Sequence, residues 1–136
     1  MTKEVAIPIL NHEYRVYFTW GTFDEVKKIL KKHQYPMDRI EEEATFDGRG
    51  SCFHAKGCHP VIAMPCLPET PEEIGTLAHE ATHAINDIWN KISENSMHEC
   101  YAHSVGAIVR TVLNKSLEEK LKREKDARNA RRKRST

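Results

Sequence analysis

The chain is 136 residues long with 39% hydrophobic content, which suits one small domain with an appendage; no apolar run approaches the ~20 residues needed to span a bilayer. Met1-Thr2-Lys3-Glu4 lacks the charged and apolar regions of a signal peptide, so a cytoplasmic location is expected, with Cys52, Cys58, Cys66 and Cys100 as reduced thiols. The near-zero net charge of +1 hides an asymmetry: residues 115–136 carry ten Lys/Arg against four Asp/Glu, a net of +6, which leaves −5 on the first 114.

Taken in order, residues 5–10 form a short apolar run interrupted by Pro8, which suits an edge strand. Residues 14–19 alternate and are rich in strand formers. Thr22 and Glu25 make a capping box for a helix whose buried face is Phe23, Val26, Ile29 and Leu30 and which fades near His33. A polar connection with Pro36 follows, then the start of a strand at residues 44–46 and a turn at Asp47-Gly48-Arg49-Gly50. Residues 51–54 and 59–64 read as a hairpin around Ala55-Lys56-Gly57. Cys52, His54, Cys58 and His59 cluster there; a second, structural metal is one reading, and free thiols in a hairpin is the favoured one.

Thr70-Pro71-Glu72-Glu73 is a helix start, with Thr70 as N-cap, Pro71 at N1 and Glu73 closing a capping box. The apolar stripe Ile74, Leu77, Ala78, Ala81, Ile85, Ile88, Trp89 carries the helix on, with His79 and His83 expected to flank it where it meets a cleft. Within it stands His79-Glu80-Ala81-Thr82-His83. Residues four apart share a helix face, so both imidazoles can address one metal ion, and Glu80 is placed to polarise water on it. Two imidazoles favour zinc over magnesium or calcium, and zinc metallopeptidases use this arrangement. Asp87 is a candidate to orient a ligand histidine.

A catalytic zinc needs a third protein ligand. A second helix, capped by Ser96 and running through Tyr101, Val105, Ile108, Val112 and Leu113, offers Glu99, with His103 and His98 as rivals. Ser96 and Glu99 also form a capping box, which by itself accounts for Glu99. Glu99 and His103 share a face with Ala102 and Gly106, small residues expected to let the two helices approach closely. Beyond Asn114 the chain becomes a charged helical or disordered tail. Its run Arg131-Arg132-Lys133-Arg134 suggests weak contact with nucleic acid or an acidic partner.

Thr76-Leu77-Ala78-His79-Glu80-Ala81-Thr82-His83-Ala84-Ile85 followed by Glu99-Cys100-Tyr101-Ala102-His103 resembles the small gluzincin-like metallopeptidases encoded by bacteriophages, over about residues 60–113. The resemblance implies an α+β, zincin-like domain over 1–114 with a short, mostly antiparallel sheet, an active-site helix and a second ligand-bearing helix, followed by the 115–136 tail. It implies one Zn2+ on His79, His83 and Glu99, Glu80 as general base toward a zinc-bound water, a peptide or protein substrate, and residence in a bacterial host cytoplasm. The family's tyrosine falls at His103, which would have to take over oxyanion stabilisation. A zincin lays its substrate along a sheet edge, making the hairpin a candidate platform, with a plain structural hairpin as the alternative. The alternative to an enzyme is a catalytically silent zinc-binding scaffold acting in protein interaction or nucleic-acid association.

Overall fold

The computed structural model describes residues 3–10, 13–36, 38, 49–92 and 98–135, with backbone only at 98 and 99. The fold is α+β: strands β1 (Glu4–Ile9), β2 (Tyr14–Trp20), β3 (Ser51–Phe53) and β4 (Val61–Met64), and helices α1 (Phe23–Lys32), α2 (Pro71–Ile92) and α3 (His98–Arg134). The strand order is β1-β2-β4-β3. The outer pairs are antiparallel, whereas β2 and β4 run parallel, Tyr17 opposite Val61 and Trp20 opposite Met64. Pro8, which cannot donate to a ladder, sits in edge strand β1 opposite Arg15.

Alternation along the strands divides the core in two. Ile7, Ile9, Val16, Phe18, Ile62 and Met64 face α2 and α3, meeting Leu77, Ala81, Ile85, Ile88, Ile108 and Val112. Phe53, Val61 and Ala63 face the other way, toward Val26 and Leu30 of α1 and Tyr35. Both faces of the sheet are thus covered, and β4 is buried along its whole length, as a strand interior to such a sheet must be. Both expected capping boxes form: Glu25 N–H donates to Thr22 Oγ1 (3.3 Å) ahead of α1, and Glu73 N–H to Thr70 Oγ1 (3.2 Å) ahead of α2.

One expectation changes. The hairpin strands are shorter, because residues 54–60 form a seven-residue connection ending in Pro60, closed by a Cys58 N–H bond to Ala55 O and tied by Lys91 Nζ to Cys58 O at 2.6 Å. Within the hairpin, β4 lies between β2 and β3, so the edge it presents is β3, the outer one among the described strands. The 115–136 tail is helical through Arg134: α3 runs for 37 residues, about 55 Å at 1.5 Å per residue, and crosses 114/115 without a break. Ser116 is buried and its Oγ donates to Pro68 O at 2.7 Å, and Arg123 pairs with Glu69. The expected strand at 44–46 and the Ser96 cap lie outside the described residues. No helix among the described residues is long and apolar enough to cross a bilayer.

The carboxylate of Glu4 joins β1 to the end of α1. It is only 9% exposed, accepts from Lys32 Nζ at 2.7 Å, and also pairs with His33. Burial alone would raise its pKa; hydrogen bonds and charge from Lys32 and His33 outweigh that and hold it below the usual carboxylate value. A depressed folded-state pKa gives stability that is complete above the ordinary carboxylate pKa and lost as pH falls through the lowered one. Glu4→Gln is therefore expected to cost about 1.5–3 kcal/mol at neutral pH, the usual range for a hydrogen bond to a charged group. In urea titrations its deficit against wild type should shrink below about pH 4, the region where free carboxylates protonate. A deficit independent of pH would show that the charge of Glu4 is not what matters.

Candidate metal centre

The buried residues Leu77, Ala81, Ala84, Ile85 and Ile88 mark the side of α2 that faces the sheet. At about 100° per residue, His79 and His83 fall nearly opposite that stripe, and both are exposed. They occupy the solvent side of the helix and do not flank the stripe. Glu80 is the residue at the boundary, with 9% exposure.

The two imidazoles converge. Their Nε2 atoms are 3.1 Å apart, with rings edge to face at a centroid distance of 4.7 Å. Two Zn–N bonds of ~2.05 Å at a tetrahedral angle put the nitrogens about 3.3 Å apart, so the pair suits a shared ion. The same approach also lets one neutral ring donate to the other. Beside them is a cleft of about 390 Å³ lined by Arg49, Gly50, Gly75, Thr76, His79 and Glu80. A Cβ at Gly50 would lie 2.9 Å from Thr76 Cγ2 and 3.4 Å from Ala63 O, so glycine lets the chain entering β3 pass close to α2, one turn before Glu80, without displacing the Thr76 side chain.

Tyr101 ties α3 to the helix that carries the motif. Its hydroxyl is 2.8 Å from Asn86 Oδ1 and 3.2 Å from Thr82 O, on either side of His83, and its ring packs edge to face on Trp89 at 5.7 Å. Burial raises the Tyr101 pKa and keeps the hydroxyl a donor. One proton cannot serve two acceptors, so a turned Asn86 amide, donating to the hydroxyl, satisfies all three groups. The sequence marks Tyr101 only as part of an apolar stripe; nothing in its spacing announces this contact.

Of the other expected residues, Glu99 lies in the first turn of α3, two positions before Tyr101, and its carboxylate is outside the described atoms. His103 is exposed one turn further along. Among the described residues no group of three His, Cys, Asp or Glu converges on one ion position. Gly106 is not a point of close helix approach, since a Cβ there would meet nothing within 4 Å. Asp87 turns from the motif to Lys91 (2.8 Å) and His54 (3.5 Å), and so helps hold the hairpin connection.

The Cys52, His54, Cys58, His59 group disperses. Cys52 packs on the helix side of the sheet, Cys58 Sγ lies 4.0 Å from Gln34 O, and His59 Nδ1 accepts from Arg15 N–H at 3.3 Å. Burial, and then the charges of Lys91 and Arg15, lower the His59 pKa, in keeping with a neutral acceptor. A larger hollow of about 540 Å³, between Trp20, Leu67, Glu119 and Arg123, contains no part of the motif.

Comparisons of the chain with protein-family models, with curated proteins and with solved structures found no match.

Two measurements test this geometry. Tyr101→Phe keeps the ring and loses the hydroxyl, and should cost about 1 kcal/mol in urea unfolding, the net worth of a typical hydrogen bond; an unchanged midpoint would mean the tie carries no load. Cys66, exposed, donates to Glu73 Oε2 at 3.0 Å, and that carboxylate with partial burial pushes the thiol up to about 11. Cys66 alkylation by iodoacetamide should therefore be slow at neutral pH and rise with pH up to about 11, and Glu73→Gln should speed it. Equal rates in the two proteins would refute the Glu73 contact.

Proposed function

We propose that the chain is a zinc-dependent metallopeptidase whose centre is built on α2 and the first turn of α3. The observation that carries this reading is the pair of Nε2 atoms 3.1 Å apart, with Glu80 next to one of them in the wall of a cleft. The donor set fits: two imidazoles spaced for one ion, with the carboxylate of Glu99 as the proposed third ligand. The resemblance of the motif helix and of the Glu99 segment to gluzincins supports the same assignment. When bound, zinc acidifies water and polarises a carbonyl oxygen.

Glu80 is the general base. It accepts a proton as water attacks the scissile carbonyl carbon, and it returns that proton to the amide nitrogen as the C–N bond breaks, giving a carboxylic acid and an amine. Its position at the edge of the buried stripe limits its hydration while leaving one side open to the cleft. His103 is proposed to donate to the oxyanion that develops during attack, a role separate from holding the ion. A purely structural metal is the weaker alternative, because Tyr101 already binds α3 to α2 through Thr82 and Asn86 without one.

The test joins metal content to turnover. Elemental mass spectrometry should find about one zinc per chain in wild type and Glu80→Gln, as expected for a catalytic site with three protein ligands. The zinc should be lost in His79→Ala and Glu99→Ala and kept in His103→Ala. Hydrolysis of a peptide library should fall by about 10²–10⁴ in Glu80→Gln, the range for removing a general base. A wild type that takes up no zinc even when it is supplied would overturn the proposal; zinc without hydrolysis would leave the scaffold reading.

A further inference from the structure

The end of α3 is basic on both sides, and one of them turns away from the domain. At about 100° per residue, the buried Ser104, Ile108, Val112 and Ser116 trace the line that faces the domain, and Glu119, Arg123 and Asp126 continue it. Along that line Arg123 pairs with Glu69, and Glu119 with Lys115, which also meets Glu118. The opposite side carries Lys125, Arg128, Arg131 and Arg132, with Lys120 at its margin and Glu124 as its one acid; Lys122, Lys133 and Arg134 lie on the domain side of the same stretch. Every residue from 120 to 135 is exposed. The five outward cations span about 18 Å of helix axis at 1.5 Å per residue.

We infer that this outward face of α3 is a docking surface for duplex nucleic acid, held through the phosphate backbone without reading bases. Charge complementarity singles out this occupant. The end of the helix concentrates positive charge, whereas the first 114 residues carry −5, so a polyanion is attracted to the helix and repelled from the rest. An α-helix also fits the major groove of a duplex, where cations on one side reach phosphates. A lipid surface is a poorer match, because a helix lying on a bilayer needs an apolar face and this one offers only Leu117 and Leu121, at its domain end. No aromatic side chain stands there as a platform for stacked bases, which favours backbone contact over single strands.

The experiment is fluorescence anisotropy of a labelled DNA duplex with the full chain over a range of salt. Five phosphate contacts predict a slope of log K against log salt of about −4.5, so that going from about 50 to 200 mM should weaken binding about 500-fold. Replacing Lys125, Arg128 and Arg132 together by Gln, which preserves helix propensity, should reduce the slope by about 3 and weaken binding at low salt by about tenfold or more. Leu117→Gln with Leu121→Gln should leave duplex binding unchanged, and circular dichroism should find the helix intact in both variants. The inference is overturned if the triple variant binds duplex as well as wild type. It is overturned equally if the leucine pair proves to be what binding needs, or if an acidic polypeptide or anionic vesicles are bound more tightly than duplex.

Discussion

Burial of Leu77, Ala81, Ala84, Ile85 and Ile88 against Phe18, Ile62 and Met64 sets the rotation of α2, and the candidate centre follows from that rotation. Each large apolar side chain so buried contributes about 1.5–3 kcal/mol. Turning the helix by one residue would expose several of them and press polar side chains on the sheet. That cost exceeds the roughly 1 kcal/mol of a hydrogen bond between His79 and His83. The core, not the pair, therefore decides where the imidazoles point. It sends them to solvent and leaves Glu80 at the margin between packed and open surface.

The helix is held at both ends and in the middle. The Thr70–Glu73 box and the Ser116 bond to Pro68 O secure its start, Tyr101 grips Thr82 and Asn86 at the level of His83, and Lys91 ties the far end to the carbonyl of Cys58. Side chains that must meet one ion need a backbone that does not drift, and a helix clamped at three levels supplies it. Gly50 adds a fourth restraint on the opposite flank, where the chain entering β3 touches Thr76.

What could be read beforehand divides along the range of the interactions. Local signals were legible: Thr22 with Glu25 and Thr70 with Glu73 start helices where expected, Pro8 sits in an edge strand, and the apolar stripe of α2 is buried as its period implies. The approach of His79 to His83 was legible for the same reason, being a spacing within one helix. Long-range pairings were not. The parallel alignment of β2 with β4 depends on a crossover that leaves no local mark, and it puts β4 in the interior with β3 outside it. Asp87 turns to Lys91 and His54 because the hairpin connection passes over that end of the helix. The grip of Tyr101 on Asn86 required two helices to be placed in space before either residue meant anything. The mid-chain change in composition was visible at Lys115, but the helix disregards it, since Ser116 and Arg123 find partners around the start of α2.

The register of α3 explains how one helix serves two purposes. Its positions at Tyr101, Ser104, Ile108, Val112 and Ser116 carry the packing against α2 and the sheet; beyond Arg123 no large apolar residue follows, every side chain is exposed, and basic residues outnumber acidic ones. Proline, a common cause of a sharp kink, does not occur between His98 and Arg134. The basic end is therefore carried on the same continuous helix that makes the Ser116 and Arg123 contacts. It points away from the domain, and it shares no residue with the cleft formed by Arg49, Gly50, Thr76, His79 and Glu80. A duplex held on α3 would leave that cleft open, so the proposed hydrolytic site and the proposed docking face place no conflicting demand on any side chain.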